Sequence, residues 1–112
     1  MVGRKPLTFS KEYKDKILSG KKRSTVRLRT NLKVGDIVEL HVGGEKIGVA
    51  EITDVSRKKL SQLTDSDARR DGFKNRRELL KALRKHYGKQ ISKEAEVHII
   101  GFKLKRRTTI NY

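Results

Sequence analysis

Ten residues carry the densest polar chemistry of the chain: Gly20-Lys21-Lys22-Arg23-Ser24-Thr25-Val26-Arg27-Leu28-Arg29. Three consecutive cations follow a glycine able to end a helix. The run then alternates as a strand does, so Val26 and Leu28 share one face while Thr25, Arg27 and Arg29 share the other. A loop that feeds hydroxyl and guanidinium groups onto one side of a strand can hold an anion or a nucleotide. The same residues would also serve as a solvated basic edge strand, whose cations discourage pairing with another strand. Lys21, Lys22, Arg23, Thr25, Arg27 and Arg29 are therefore the candidate binding residues. Arg27 can bond a base edge or a phosphate through two N–H groups, or pair structurally with Glu51 or Asp71.

Two carboxylates could join them. Glu51 shares strand phase with Ile47 and Val49. It either points inward, where a buried carboxylate needs a cation, or lies solvated because the phase slips at a bulge near Gly48. Asp71 closes an acidic stretch that includes Asp65 and Asp67.

The composition narrows the partners. The chain has 112 residues, with 29 Lys and Arg against 13 Asp and Glu and a net charge of +16. Such a surplus attracts polyanions and is the footprint of a nucleic-acid binder. A thermophile-like surface is also rich in charge, but it enriches glutamate along with lysine. Residues 1–35 hold eleven cations and only two acids, Glu12 and Asp15. Aromatic residues make up 5% of the chain, which argues against extended base stacking. Recognition would lean on shape and on one or two bases in a pocket, with Tyr13 assigned to the core. Cysteine is absent, and His41, His86 and His98 show no metal-ligand spacing, so no metal and no cofactor is expected. Neither a membrane span nor a signal-peptide pattern is present, so a cytoplasmic protein is expected; its oligomeric state is open, with a monomer favoured.

The elements that position these residues follow from periodicity and capping. Residues 1–112 suit one domain with a single core. A strand over Pro6–Phe9 leads through Ser10 into a helix over Lys11–Ser19, and the basic run follows as a strand. A turn at 32–36, a strand over Ile37–Val42, a Gly43-Gly44 hairpin and a return strand over Lys46–Val55 come next. The cluster Arg57-Lys58-Lys59 reads as a solvated loop. Thr64, with Asp65 and Asp67 behind it, starts a short helix that ends by Gly72. Asn75 and Glu78 resemble a capping box ahead of a helix with Leu79, Leu83 and Tyr87 on one stripe. The last strand is expected over Val97–Leu104, with a flexible basic tail at 105–112. This order implies an α+β fold, a barrel or strongly curved sheet with few covering helices.

Four blocks in this order resemble the ASCH domain family, relatives of the RNA-binding PUA domains. They are Ile17 through Arg27, Lys33 through Val38, Ala50 through Val55, and Leu63-Thr64 through Asp71-Gly72-Phe73. The resemblance covers nearly the whole chain up to Leu104. It implies a small PUA-like mixed β-barrel flanked by about three helices, and a role with RNA. A small bacterial branch of similar length hydrolyses the acetyl amide of N4-acetylcytidine, using a lysine after the glycine, a threonine three residues on and a glutamate in the acidic helix. Lys22 matches the lysine, Thr25 matches the threonine, and the glutamate position falls on Asp71, one methylene shorter.

Three functions stand. The first is binding of RNA or an RNA-derived nucleotide, by Lys22, Thr25, Arg27 and Asp71 with Glu51 as a possible addition. The second is hydrolysis of an acylated cytidine, a modified nucleoside, with Lys22, Thr25 and Asp71 catalytic. There Thr25 attacks the carbonyl, and Lys22 acts either as base or, charged, as the oxyanion's partner while Asp71 moves the proton. The third is an interaction module of an RNA-processing assembly.

Overall fold

The computed structural model describes residues 4–107. The chain folds as β1 (Lys5–Phe9), a 3-10 turn (Lys11–Tyr13), α1 (Lys14–Leu18), β2 (Ser24–Arg27), β3 (Ile37–Val42) and β4 (Glu45–Lys59). A 3-10 turn (Leu60–Gln62), α2 (Asp65–Arg70), α3 (Arg76–Tyr87) and β5 (Glu96–Arg107) complete it. The five strands form one mixed sheet in the order β1-β3-β4-β5-β2. Only β1 and β3 run parallel; the other pairs are antiparallel. The sheet curls into a half-barrel with three α-helices beside it, the PUA-like α+β fold expected from the sequence.

Bulges produce the curl. The pairing of β4 slips between Leu40 and His41 on one side, and between Val49 and Ala50 and between Ile52 and Asp54 on the other. Each slip bends and twists the strand. Gly48 sits at the first of these bends, where a Cβ would press into the Arg106 carbonyl, so no larger residue fits. β1 and β2 remain the two edges of the sheet, and the barrel stays open between them.

Two apolar clusters hold the fold. One fills the barrel with Leu7, Phe9, Leu40, Ile52, Ile100 and Phe102 among others. The second joins β2 and the start of β5 to the helices through Val26, Leu79, Leu83, Val97 and Ile99. Helix α2 starts with a complete capping box: Thr64 Oγ1 accepts from Asp67 N at 3.0 Å, and Asp67 accepts from Thr64 N at 2.9 Å. At α3, Asn75 Oδ1 accepts from Glu78 N at 3.0 Å, but the Glu78 carboxylate takes Lys74 N, so the box is only half formed.

Several boundaries differ from the sequence expectation. Arg57, Lys58 and Lys59 continue β4 instead of forming a loop. Their backbones pair with residues 96–98 of β5, and their charges meet Glu96, Asp67 and Glu94. Lys105, Arg106 and Arg107, expected in the tail, extend β5, because Val49 and Gly48 offer partners as far as Arg107. The rest of that tail, 108–112, lies outside the described residues. β2 stops at Arg27, which leaves Arg29 beyond the strand. The helix expected over Lys11–Ser19 is split into the 3-10 turn and the five-residue α1.

Candidate functional site

Gly20 turns the chain out of α1 with a φ of 82°. The next residues are then pinned by main-chain bonds: Lys22 N donates to Lys16 O at 2.9 Å, Arg23 N to Arg70 O at 2.8 Å, and Phe102 N to Arg23 O at 3.0 Å. That segment is held between α1, the end of α2 and β5, and the Lys22 side chain is directed inward. Asp71 caps the C-terminus of α2. Gly72 after it has a φ of 92°, and a Cβ there would stand 3.2 Å from the Lys22 Cβ. A glycine therefore serves twice, reversing the chain and letting the two segments touch.

Lys22 Nζ pairs with the Asp71 carboxylate and also donates to the Asp71 carbonyl at 3.1 Å. Among the described residues these are the only buried charged side chains. The ammonium sits over three ring faces, 4.9 Å from the Tyr13 centroid, 5.5 Å from Phe9 and 5.8 Å from Phe73. Each face attracts a cation. Burial works against charge on both partners. It pushes the Asp71 carboxyl up to about 6 despite the pull of Lys22, and it lowers Lys22 despite Asp71. Shifted groups that share a cleft with a specific charge partner make it a candidate functional site.

Thr25 and Arg27 flank the pair from β2. Arg27 Nε donates to Thr25 Oγ1 at 3.0 Å and Nη2 donates to the Thr8 carbonyl on β1 at 2.6 Å. Its guanidinium lies 5.1 Å over the Phe9 ring. Arg27 thus ties β2 to β1 across the opening in the barrel, satisfying an edge carbonyl that no strand covers. Burial lowers its pKa from the ordinary arginine value. The Tyr13 hydroxyl shares a 2.9 Å hydrogen bond with His86 Nε2 of α3 and is pushed up to about 12 by burial, Glu12 and Asp71.

These groups surround one cavity of 160 Å³ in the gap between β1, β2 and α3. Its walls combine Phe9, Tyr13, Phe73 and Tyr87 with Lys22, Thr25, Arg27 and Asp71. An apolar cavity of about 150 Å³ holds a benzene ring, so this one has room for a single ring system. Among the described residues no group of side chains has the makings of a metal site.

The sequence matches the family model for the ASCH domain over residues 2–105. The chain belongs to the ASCH domain family. The fold agrees. An ASCH domain from Lactobacillus crispatus JV V101 superposes with a TM-score of 0.74 at 22% identity, over 90% of this chain and 82% of that one. Protein EF3133 from Enterococcus faecalis V583 gives 0.74 at 15% identity, over 100% and 88%. ASCH from Zymomonas mobilis gives 0.68 at 16% identity, over 94% and 71%. No curated protein matches the sequence.

Within this ASCH domain, four of the eight residues singled out from the sequence converge: Lys22, Thr25, Arg27 and Asp71 line the cavity. Glu51 does not. Its carboxylate pairs with Lys105 at 3.3 Å and is 39% exposed, because the bulge beside Val49 turns it outward. Lys21, Arg23 and Arg29 are exposed and stand outside the cavity wall. Tyr13, assigned to the core, packs against the barrel cluster and also forms a wall of the cavity. Phe73, His86 and Tyr87 complete the wall without having been singled out for it. Tyr87 falls on the apolar stripe of α3, and that stripe is the one signal that could have marked it.

Proposed function

We propose that this ASCH domain binds single-stranded RNA and draws one of its bases into the cavity at Lys22, Thr25, Arg27 and Asp71. One observation carries the reading. Four of the chain's six aromatic residues, and the only buried ion pair among the described residues, line the same ring-sized cavity. Aromatic faces stack a splayed base, and buried polar groups read its edge. The net charge of +16 supplies attraction for the phosphates. ASCH domains are generally associated with RNA, which agrees with this reading. Titration of a short single-stranded RNA at two salt concentrations tests it. Affinity that falls steeply with salt and survives Thr25→Ala supports binding; no affinity at low salt refutes it.

A second reading is hydrolysis of the acetyl amide of N4-acetylcytidine. It is favoured by the hydroxyl of Thr25 in the same cavity as a carboxyl pushed up to about 6, a value suited to proton transfer near neutrality. In this reading Thr25 Oγ1 adds to the acetyl carbonyl as its proton passes to Asp71, and the Lys22 ammonium stabilises the oxyanion. The intermediate collapses by breaking the bond to N4, which takes the proton from Asp71. Water then releases acetate from Thr25. Release of cytidine by the parent protein, lost in both Thr25→Ala and Lys22→Ala, supports this reading. Absence of release from the parent removes it.

A further inference from the structure

We propose that the open hollow on the other side of Lys22 holds the nucleotide adjacent to the one whose base enters the cavity. The ligand is then a strand of RNA and not a free nucleoside. This rests on the base-cavity reading above.

The hollow measures 490 Å³ and shares Lys22 with the cavity as a common wall. Its apolar surface comes from Ile17, Leu18, Phe102 and Leu104, and Arg23 and Lys103 stand at its rim. Both cations are exposed and have no acidic partner among the described residues. Arg23 is carried on a rigid segment, since its own N–H and carbonyl are bonded to α2 and β5. Asp54 is held by Arg70, which also lines the hollow and pulls the Asp54 pKa below the ordinary carboxylate value, and Glu51, opposite Lys103 in the β4–β5 register, is paired with Lys105. An apolar floor edged by two unpaired cations suits a base or ribose packed on the floor with its phosphate at the rim.

The outer face of α3 is another basic surface. It carries Arg77, Lys81 and Arg84, but the depression there is lined by Lys81, Arg84, Lys85 and Lys89 alone. That face attracts phosphate, but its apolar surface is only the stems of lysine and arginine chains, with no aliphatic or aromatic side chain for a base to pack on. It also lies on the opposite side of the helix from Leu79 and Leu83, which wall the cavity.

The test is the double variant Arg23→Gln/Lys103→Gln, with Arg77→Gln/Lys81→Gln as the comparison and thermal unfolding as the check on folding. A short single-stranded RNA, free cytidine and N4-acetylcytidine are each titrated at several salt concentrations. The first double variant is expected to bind the RNA at least tenfold more weakly. Its salt slope should fall by about 1.4, since each lost phosphate contact on a single strand removes about 0.7. Its affinity for the free nucleosides should be unchanged. An unchanged RNA affinity, an equal loss for the nucleosides, or a slope that falls only in the α3 variant overturns the proposal and leaves the cavity reading standing. Wild-type protein that binds neither RNA nor nucleoside overturns both.

Discussion

Lys22 and Asp71 stand 49 residues apart in sequence and form a contact ion pair whose side chains are 4% and 3% exposed. One side of that pair faces a ring-sized cavity. Removing either partner alone strands a charge away from water. Lys22→Met or Asp71→Asn should therefore cost about 3–5 kcal/mol of stability in denaturant unfolding. Replacing both, as in Lys22→Met/Asp71→Leu, should recover most of that loss and still abolish function. If the single variants are as stable as the parent, the pair is not buried as described.

The pair also predicts a pH dependence. Burial raises the Asp71 carboxyl from 3.8 in an unfolded chain to about 6. Between those values the folded protein holds the proton more tightly than the unfolded one. The contribution of Asp71 to stability is therefore fully present below about 4 and is lost as the pH rises through about 6. Measured as parent minus Asp71→Asn, the stability difference should fall across that window. A difference that rises instead would show that Lys22 outweighs desolvation. In the hydrolytic reading, the initial proton acceptor must be the carboxylate, so activity should show an acid limb near 6.

Arg27 joins the two free edges of the barrel. Its bonds to Thr8 O and Thr25 Oγ1 come from two different nitrogens of one planar group. A lysine cannot reproduce that fork. Arg27→Lys should cost about 1.5–3 kcal/mol, the range for a hydrogen bond from a charged donor. Amide exchange in β1 should quicken while that of β4 and β5 stays slow. Uniform protection across the sheet in the variant would refute the bridging role.

Gly72 lets α2 end against Lys22. Gly72→Ala should cost about 1–2 kcal/mol for the left-handed conformation alone, with a further loss as the new methyl meets the Lys22 Cβ. Thermal unfolding measures it. A neutral outcome would mean the turn can re-form without its positive φ.

Much of this arrangement could be read from local pattern. The Gly43-Gly44 hairpin, the Thr64 cap and the alternation that puts Thr25 and Arg27 on one face all depend on neighbours a few residues away. The place of Asp71 came from the family resemblance alone, because nothing local points a helix cap at residue 22. At Glu51 the residue types leave two outcomes open, inward by strand phase or solvated by a bulge near Gly48, and the slip between Val49 and Ala50 selects the solvated one. Tyr13 and His86 meet across 73 residues. Periodicity assigns Tyr13 to an apolar face but cannot say that the face borders a cavity. The cations at the ends of β4 and β5 read as loop and tail in the sequence because what orders them, backbone pairing with the neighbouring strand, lies about 40 to 60 residues away.

The most direct measurement is RNA binding by Ala82→Phe. Ala82 lines the cavity from α3 and carries no polar group, so a ring there fills the space without changing the charge. With thermal unfolding showing a folded variant, the account predicts at least a tenfold loss of affinity for single-stranded RNA with the salt slope unchanged. Affinity equal to that of the parent would contradict it, because RNA would then be held without placing a base in the cavity.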